Sequence, residues 1–379
     1  MKRNISIVFQ QSHSQQCLSE VLDSALKNFE TPAVSHRSNV LRSAWIRWSL
    51  MIVCLSLSFS LRAQDIHFSQ YYATPMTANP ANTGMFNGTY RAGANYRNQW
   101  ASVTVPYKTF AAYADLSMMH RPFNKYFFGT GLSMVNDVAG DGNLSVTKLS
   151  GNGAFHIALD DARSYFLSVG LQASYIQKKI DWSKLYFHSQ WRNVDFDRNW
   201  LNGETGYTPN FSYFDFQLGA MYSFTASNKL GGFASASLSH AARPKDSFYQ
   251  DDYKLGGRPQ LSAGANVDIT DAFTLYPSFY YQNQKNASEL LVGNMVTYKT
   301  KPEDDESNKI YFGTYLRLKD AWYPVVGYEF SNIRVLLNYD INFSELLPAS
   351  SGRGALELSI QYIGSFGKPP VIDIPCPRF

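Results

Sequence analysis

A chain of 379 residues with 17% charged and 45% hydrophobic residues is too rich in apolar side chains for disorder, and too poor in charge for a solvent-facing helical solenoid. Its longest uncharged apolar run, residues 48–61, falls short of the ~18–20 residues that a membrane-spanning helix needs. A helical membrane protein is thereby excluded, while 25 Tyr, 26 Phe and 7 Trp supply many rings to be placed.

At the N-terminal side, Arg42 and Arg47 precede the apolar stretch 50–61, which ends at Leu61-Arg62-Ala63 before Gln64. A basic flank, a short apolar core and a small residue at the exit predict a secretory signal peptide rather than a buried core helix. Val53 before Cys54 argues against the lipoprotein variant, and residues 1–40 read as an over-extended gene start. The leader 1–63 takes seven of the 34 basic and three of the 30 acidic groups, leaving 27 of each. The net charge of +4 therefore belongs to the leader, and no basic excess remains for nucleic acid. Cys17 and Cys54 leave with it, and Cys376 alone makes neither an internal disulfide nor a cysteine metal cage.

Residues 64–88 hold Pro75, Pro80 and the run Asn79-Pro80-Ala81-Asn82-Thr83-Gly84, which cannot make a ladder strand of usual length. The anchors Phe68, Tyr71 and Tyr72 predict an ordered segment, at the periplasmic mouth or in the lumen of a barrel built by the remaining chain. From 89 onward one kind of segment recurs, alternating in character and bounded by Gly, Asn, Asp or Pro. In the last, Leu356, Leu358, Ile360 and Tyr362 alternate with Glu357, Ser359 and Gln361. Period two with one apolar and one polar face describes a strand with a different solvent on each side. The segments are 90–99, 109–118, 127–136, 144–157, 164–177, 213–224, 230–240, 260–269, 273–282, 288–298, 310–318, 322–330, 333–342 and 355–363.

Two soluble sandwiches or one barrel could use such strands. An even count, an export signal and connections of alternating length favour an all-β chain: a single transmembrane antiparallel β-barrel of about 14 strands with long extracellular loops. Loops 181–212, 241–259 and 343–354 are long, and turns 226–229, 270–272 and 331–332 are short. Connection 299–309, with Glu303-Asp304-Asp305-Glu306, breaks the rule: either it is a long inward turn or the strand boundaries slip there. Rings near segment ends (Tyr71, Tyr72, Tyr126, Phe127, Phe128, Tyr280, Tyr281, Trp322, Tyr323) suit interfacial girdles. The expected layout is leader 1–63, N-terminal segment 64–88, barrel 89–366 and tail 367–379.

Chemistry finds little support. Residues 137–143, DVAGDGN, lack the alternating ligands and closing Glu of a calcium loop. The seven His show no paired metal spacing, His156 and His240 read as wall or lumen residues, and nothing pairs a Ser with a His for a barrel lipase. No catalytic, cofactor or metal residue is expected. Loop 181–212 instead gathers Trp182, Trp191 and Trp200 with Tyr186, Phe187 and Phe196. Rings of this kind dominate binding hot spots, which makes the loop a candidate partner site; the alternative is that they pack on one another and close the barrel mouth.

The stretch 65–100, DIHFSQYYATPMTANPANTGMFNGTYRAGANYRNQW, resembles the start of mature PorP/SprF proteins, outer-membrane components of type IX secretion and gliding systems. Further blocks are NDVAGDGNLS at 136–145, AFHIAL at 154–159, IDWSKLYFHSQW at 180–191, YFDFQLGAMYSF at 213–224, DAWYPVVGYEF at 320–330 and PCPRF at 375–379. The long leader departs from the family pattern. The resemblance implies a non-enzymatic barrel integral to the bacterial outer membrane and surrounded by its lipid. It also implies partners: periplasmic type IX components and a secreted surface adhesin or other C-terminal-signal cargo, whose export or anchoring the barrel supports. A porin-like diffusion channel is the alternative, with an enzyme a distant third.

Overall fold

Alternation decides the architecture. Along the final strand Leu356, Leu358 and Ile360 are 46%, 46% and 48% exposed, whereas Glu357 between them is fully enclosed. A strand with apolar side chains outside and a carboxylate inside needs a polar interior walled off from an apolar exterior, which a closed barrel supplies. The computed structural model describes residues 65–366 apart from 104, 119–124, 198, 228, 250, 302–307 and 346. The leader 1–63 and the tail 367–379 lie outside the described residues.

Fourteen antiparallel strands run in order: β1 (Tyr90–Gln99), β2 (Tyr107–Met118), β3 (Tyr126–Ala139), β4 (Leu144–Ala158), β5 (Tyr165–Lys179), β6 (Asn210–Ser227), β7 (Leu230–Ser239), β8 (Arg258–Asp268), β9 (Phe273–Gln284), β10 (Ala287–Lys299), β11 (Lys309–Arg317), β12 (Ala321–Phe330), β13 (Ile333–Asn342) and β14 (Arg353–Gly364). Each pairs with its neighbours in sequence, and β1 pairs with β14, so the sheet closes and leaves no edge. Among the described residues no helix is long and apolar enough to cross a membrane.

The connections sort by end. Residues 180–209, 240–257 and 343–352 are the long loops of one end, although 285–286 and 318–320 at that end are tight. At the other end 331–332 and 269–272 are short turns. The exception at 299–309 is genuine: Lys299 and Lys309 are directly opposed, so the strand boundaries hold and the longer connection lies at the short-turn end. Its acidic run 303–306 is outside the described residues.

The girdle expectation needs correction. Tyr126, Phe128 and Trp322 face outward, but Tyr71, Tyr72, Phe127, Tyr280 and Tyr323 are buried. Neighbouring rings on one strand point to opposite faces, so a cluster in sequence splits between exterior and interior. Residues 65–185 and 205–366 form one compact unit, and Tyr186–Glu204 belongs to a second. In that second stretch the Trp191 and Phe196 rings meet edge to face at 5.0 Å, and the Arg192 guanidinium lies 3.7 Å over the Trp200 ring.

Candidate functional site

Inside the barrel runs the chain that precedes β1. Its prolines keep it out of the ladder and start short helical turns at Pro75–Ala78 and Pro80–Asn82, where a missing N–H costs nothing. Asn79 accepts from the Ala81 N–H at 2.9 Å and donates to the carbonyls of Ala220 and Ala236, fixing the bend to the wall. Its apolar side chains find inward-facing partners. Tyr71 and Tyr72 join Tyr280, Leu291, Met295, Tyr311, Tyr315 and Tyr323 in one cluster, with Tyr71 stacked on Tyr280 at 4.8 Å. Ala81 and Met85 pack with Phe127, Phe166, Met221 and Phe233, while Phe68 meets Ala111 and Val135.

A buried ionic knot holds the first bend. The backbone N–H groups of Ser69 and Gln70 donate to the two Glu357 oxygens at 2.9 Å each, and Asn95 adds a third donor at 2.8 Å. Arg97 bridges Glu357 at 2.8 Å and Asp340 at 2.9 Å, and Arg317 reaches Asp340 and Glu289. The Ser69 hydroxyl donates to Asp340 at 2.8 Å and accepts from Arg97 and Arg317, and its carbonyl accepts from the Tyr323 hydroxyl at 2.7 Å. Asp340 sits where the β13–β14 register slips between Tyr339 and Ile341, the kind of irregularity that re-aims a side chain. Charges without water are tolerable only when paired and hydrogen-bonded, and this set meets that condition through the N-terminal segment.

A second anchor lies on the neighbouring strands β1 and β2. Asp115 takes both Arg91 contacts, at 2.8 and 3.0 Å, and the Gly84 N–H at 2.7 Å. Here the segment touches the wall backbone to backbone: a Cβ on Gly129 would stand 1.9 Å from the Thr83 carbonyl, and one on Gly170 would stand 2.4 Å from Ala81 N. Gly129→Val is therefore expected to push the segment off the wall at a cost of about 1–3 kcal/mol. Chymotrypsin should then cut at Tyr71–Tyr72 in the folded protein, whereas Gly151→Val, whose side chain meets nothing within 4 Å, should stay resistant.

Two histidines complete the fastening. His156 Nε2 donates to the Thr83 carbonyl at 2.9 Å, leaving Nδ1 to accept from the Ser168 hydroxyl at 2.7 Å. No pattern in the sequence links this Ser to this His; the pair is fully enclosed, its ring stacked on Phe127. His240 stands between Asp215 at 2.8 Å and Asp65 at 3.0 Å, so the start of the segment is tied as well. Burial works to raise the Asp65 carboxyl, but Arg258 and His240 outweigh it and hold it well below the usual carboxylate range. The Asp137 carboxylate accepts from Thr109 at 2.6 Å.

The three candidate tryptophans fall in different units. Trp182 stacks on Tyr207 at 4.1 Å and meets Phe248 and Tyr249 edge-on, knitting loop 180–209 to loop 240–257. Trp191 and Trp200 lie in the second unit and are 42% and 56% exposed. The residues of the knot were missed because nothing in sequence links Ser69 to Glu357; the available signal was charge at inward parity, as in Leu356-Glu357-Leu358.

No curated protein matches the sequence. Among solved structures, the toluene transporter TbuX of Ralstonia pickettii aligns at 10% identity and a TM-score of 0.47, over 78% of this chain and 94% of that one. A FadL homologue of Pseudomonas aeruginosa aligns at 9% identity and 0.43, over 75% and 92%. Residues 60–362 match the family of type IX secretion system membrane proteins PorP/SprF, and with so much of its length matched the chain belongs to that family.

Proposed function

We propose that this barrel is a non-enzymatic outer-membrane component of type IX secretion that supports export or surface anchoring of cognate proteins. One observation carries the reading: the lumen is occupied by its own N-terminal segment, fastened at Glu357, Asp115, His156 and His240. A barrel so filled is suited to holding partners at its ends more than to passing solutes. Barrels of this type place long loops outside and short turns in the periplasm. Cargo such as a surface adhesin would then meet Trp182, Trp191 and Trp200, and periplasmic type IX components would meet the turns.

The test replaces the chromosomal gene with wild-type or with Trp191→Ala/Trp200→Ala and measures surface display of C-terminal-signal proteins. Gene loss is expected to abolish display of the cognate cargo. The double substitution is expected to reduce it at least tenfold while heat-modifiable gel mobility is kept, because hot-spot rings contribute about 2 kcal/mol or more each. Normal display without the gene would remove the chain from secretion.

A further inference from the structure

At the short-turn end, four adjacent strands each bring one charged side chain to the interior. Lys299 opposes Lys309, Lys309 opposes Glu329, and Glu329 opposes Arg334. Like charges directly opposed across a ladder destabilise it. The one carboxylate in this row is already committed, to Lys309 at 2.6 Å, Arg334 at 2.7 Å and the Tyr311 hydroxyl at 2.7 Å. Lys299 has no acceptor among the described residues, so a cation is left over.

A second signal lies beside it. Thr297, two residues earlier on the same face of β10, is 2% exposed, and its hydroxyl has no partner among the described residues. An enclosed donor left unmade costs about 1–3 kcal/mol, which a ligand would recover. Both residues line a cavity of about 540 Å³, within the range of sites for small organic ligands. Its lining also includes the apolar or aromatic side chains of Tyr72, Met85, Phe86 and Phe233. The other charges facing it are Arg91, held by Asp115, and Asp268, which accepts from Thr274.

We propose that this cavity binds an acidic peptide segment of another protein, its carboxylates on Lys299 and Lys309 and an adjacent aromatic or aliphatic side chain against the apolar lining. Inorganic anions would leave that lining unfilled. Lipid is separated from the site by the wall, because the lining side chains point inward. The site is read from the barrel alone, so it stands or falls separately from the secretion reading.

The test uses the purified full chain in detergent and fluorescence anisotropy of two labelled pentapeptides, Glu-Asp-Phe-Asp-Glu and its uncharged counterpart Gln-Asn-Phe-Asn-Gln. The acidic peptide is expected to bind about tenfold or more tighter, as loss of charge-assisted bonds predicts. Lys299→Gln/Lys309→Gln should remove that preference while gel mobility stays heat-modifiable. Thr297→Val, which keeps the shape and the charges, should weaken binding by a smaller factor. Equal binding of the two peptides, or an unchanged preference in the lysine variant, would overturn the proposal. Displacement by inorganic phosphate as effective as by unlabelled acidic peptide would reduce the site to a plain anion site. Binding seen only after Glu303, Asp304, Asp305 and Glu306 are neutralised would assign the cavity to the chain's own turn, against a foreign peptide.

Discussion

Glu357→Ala is expected to lower barrel stability by about 3–5 kcal/mol, the usual cost of removing one partner from an enclosed ion pair. The substitution strands the Ser69 and Gln70 N–H groups and takes one of two carboxylates from Arg97, all without access to water. Detergent-solubilised protein should lose its compact gel mobility at a clearly lower temperature. Glu357→Gln should fall between the two, because an amide keeps one acceptor oxygen but no charge. An unshifted transition in the alanine variant would mean that the knot contributes nothing to holding the fold.

Deleting residues 65–84 is expected to convert a silent barrel into a conducting one. The wall can survive the loss: Arg97 keeps Asp340 and Glu357, Arg91 keeps Asp115, and Arg317 keeps Glu289. What departs is the material filling the interior, including Tyr71, Tyr72, Met76 and Ala81. In planar bilayers the full chain should show little or no small-ion conductance and the deleted form discrete open-channel steps. Open-channel steps from the full chain would instead favour the diffusion-channel reading.

Much of the fold is legible in the sequence, for identifiable reasons. Strands with one polar and one apolar face announce themselves in a period of two, and β1 and β13 run over the predicted residues. The prolines of 64–88 argue correctly against a strand there. Which face a ring takes is a matter of single-residue parity, and for Tyr71 and Tyr72, outside any strand, parity says nothing. Pairings such as Ser69 with Glu357 span 288 positions, and no local pattern encodes a contact that only barrel closure creates. His156 with Ser168 escapes a sequence reading for a related reason: the pair faces across β4 and β5, and its meaning rests on Thr83, brought over from the N-terminal segment.

Arg97 and Glu357 are also opposed residues across the β1–β14 junction, 260 positions apart in the chain. That junction joins the first strand to the last, so it closes the longest loop of any ladder in the barrel. The residues that clasp the N-terminal segment thus straddle the seam of the cylinder. Ser69 and Gln70 act there as a rivet driven from within: both donate to Glu357 on one side of the seam, the Ser69 hydroxyl accepts from Arg97 on the other, and once seated they resist its reopening.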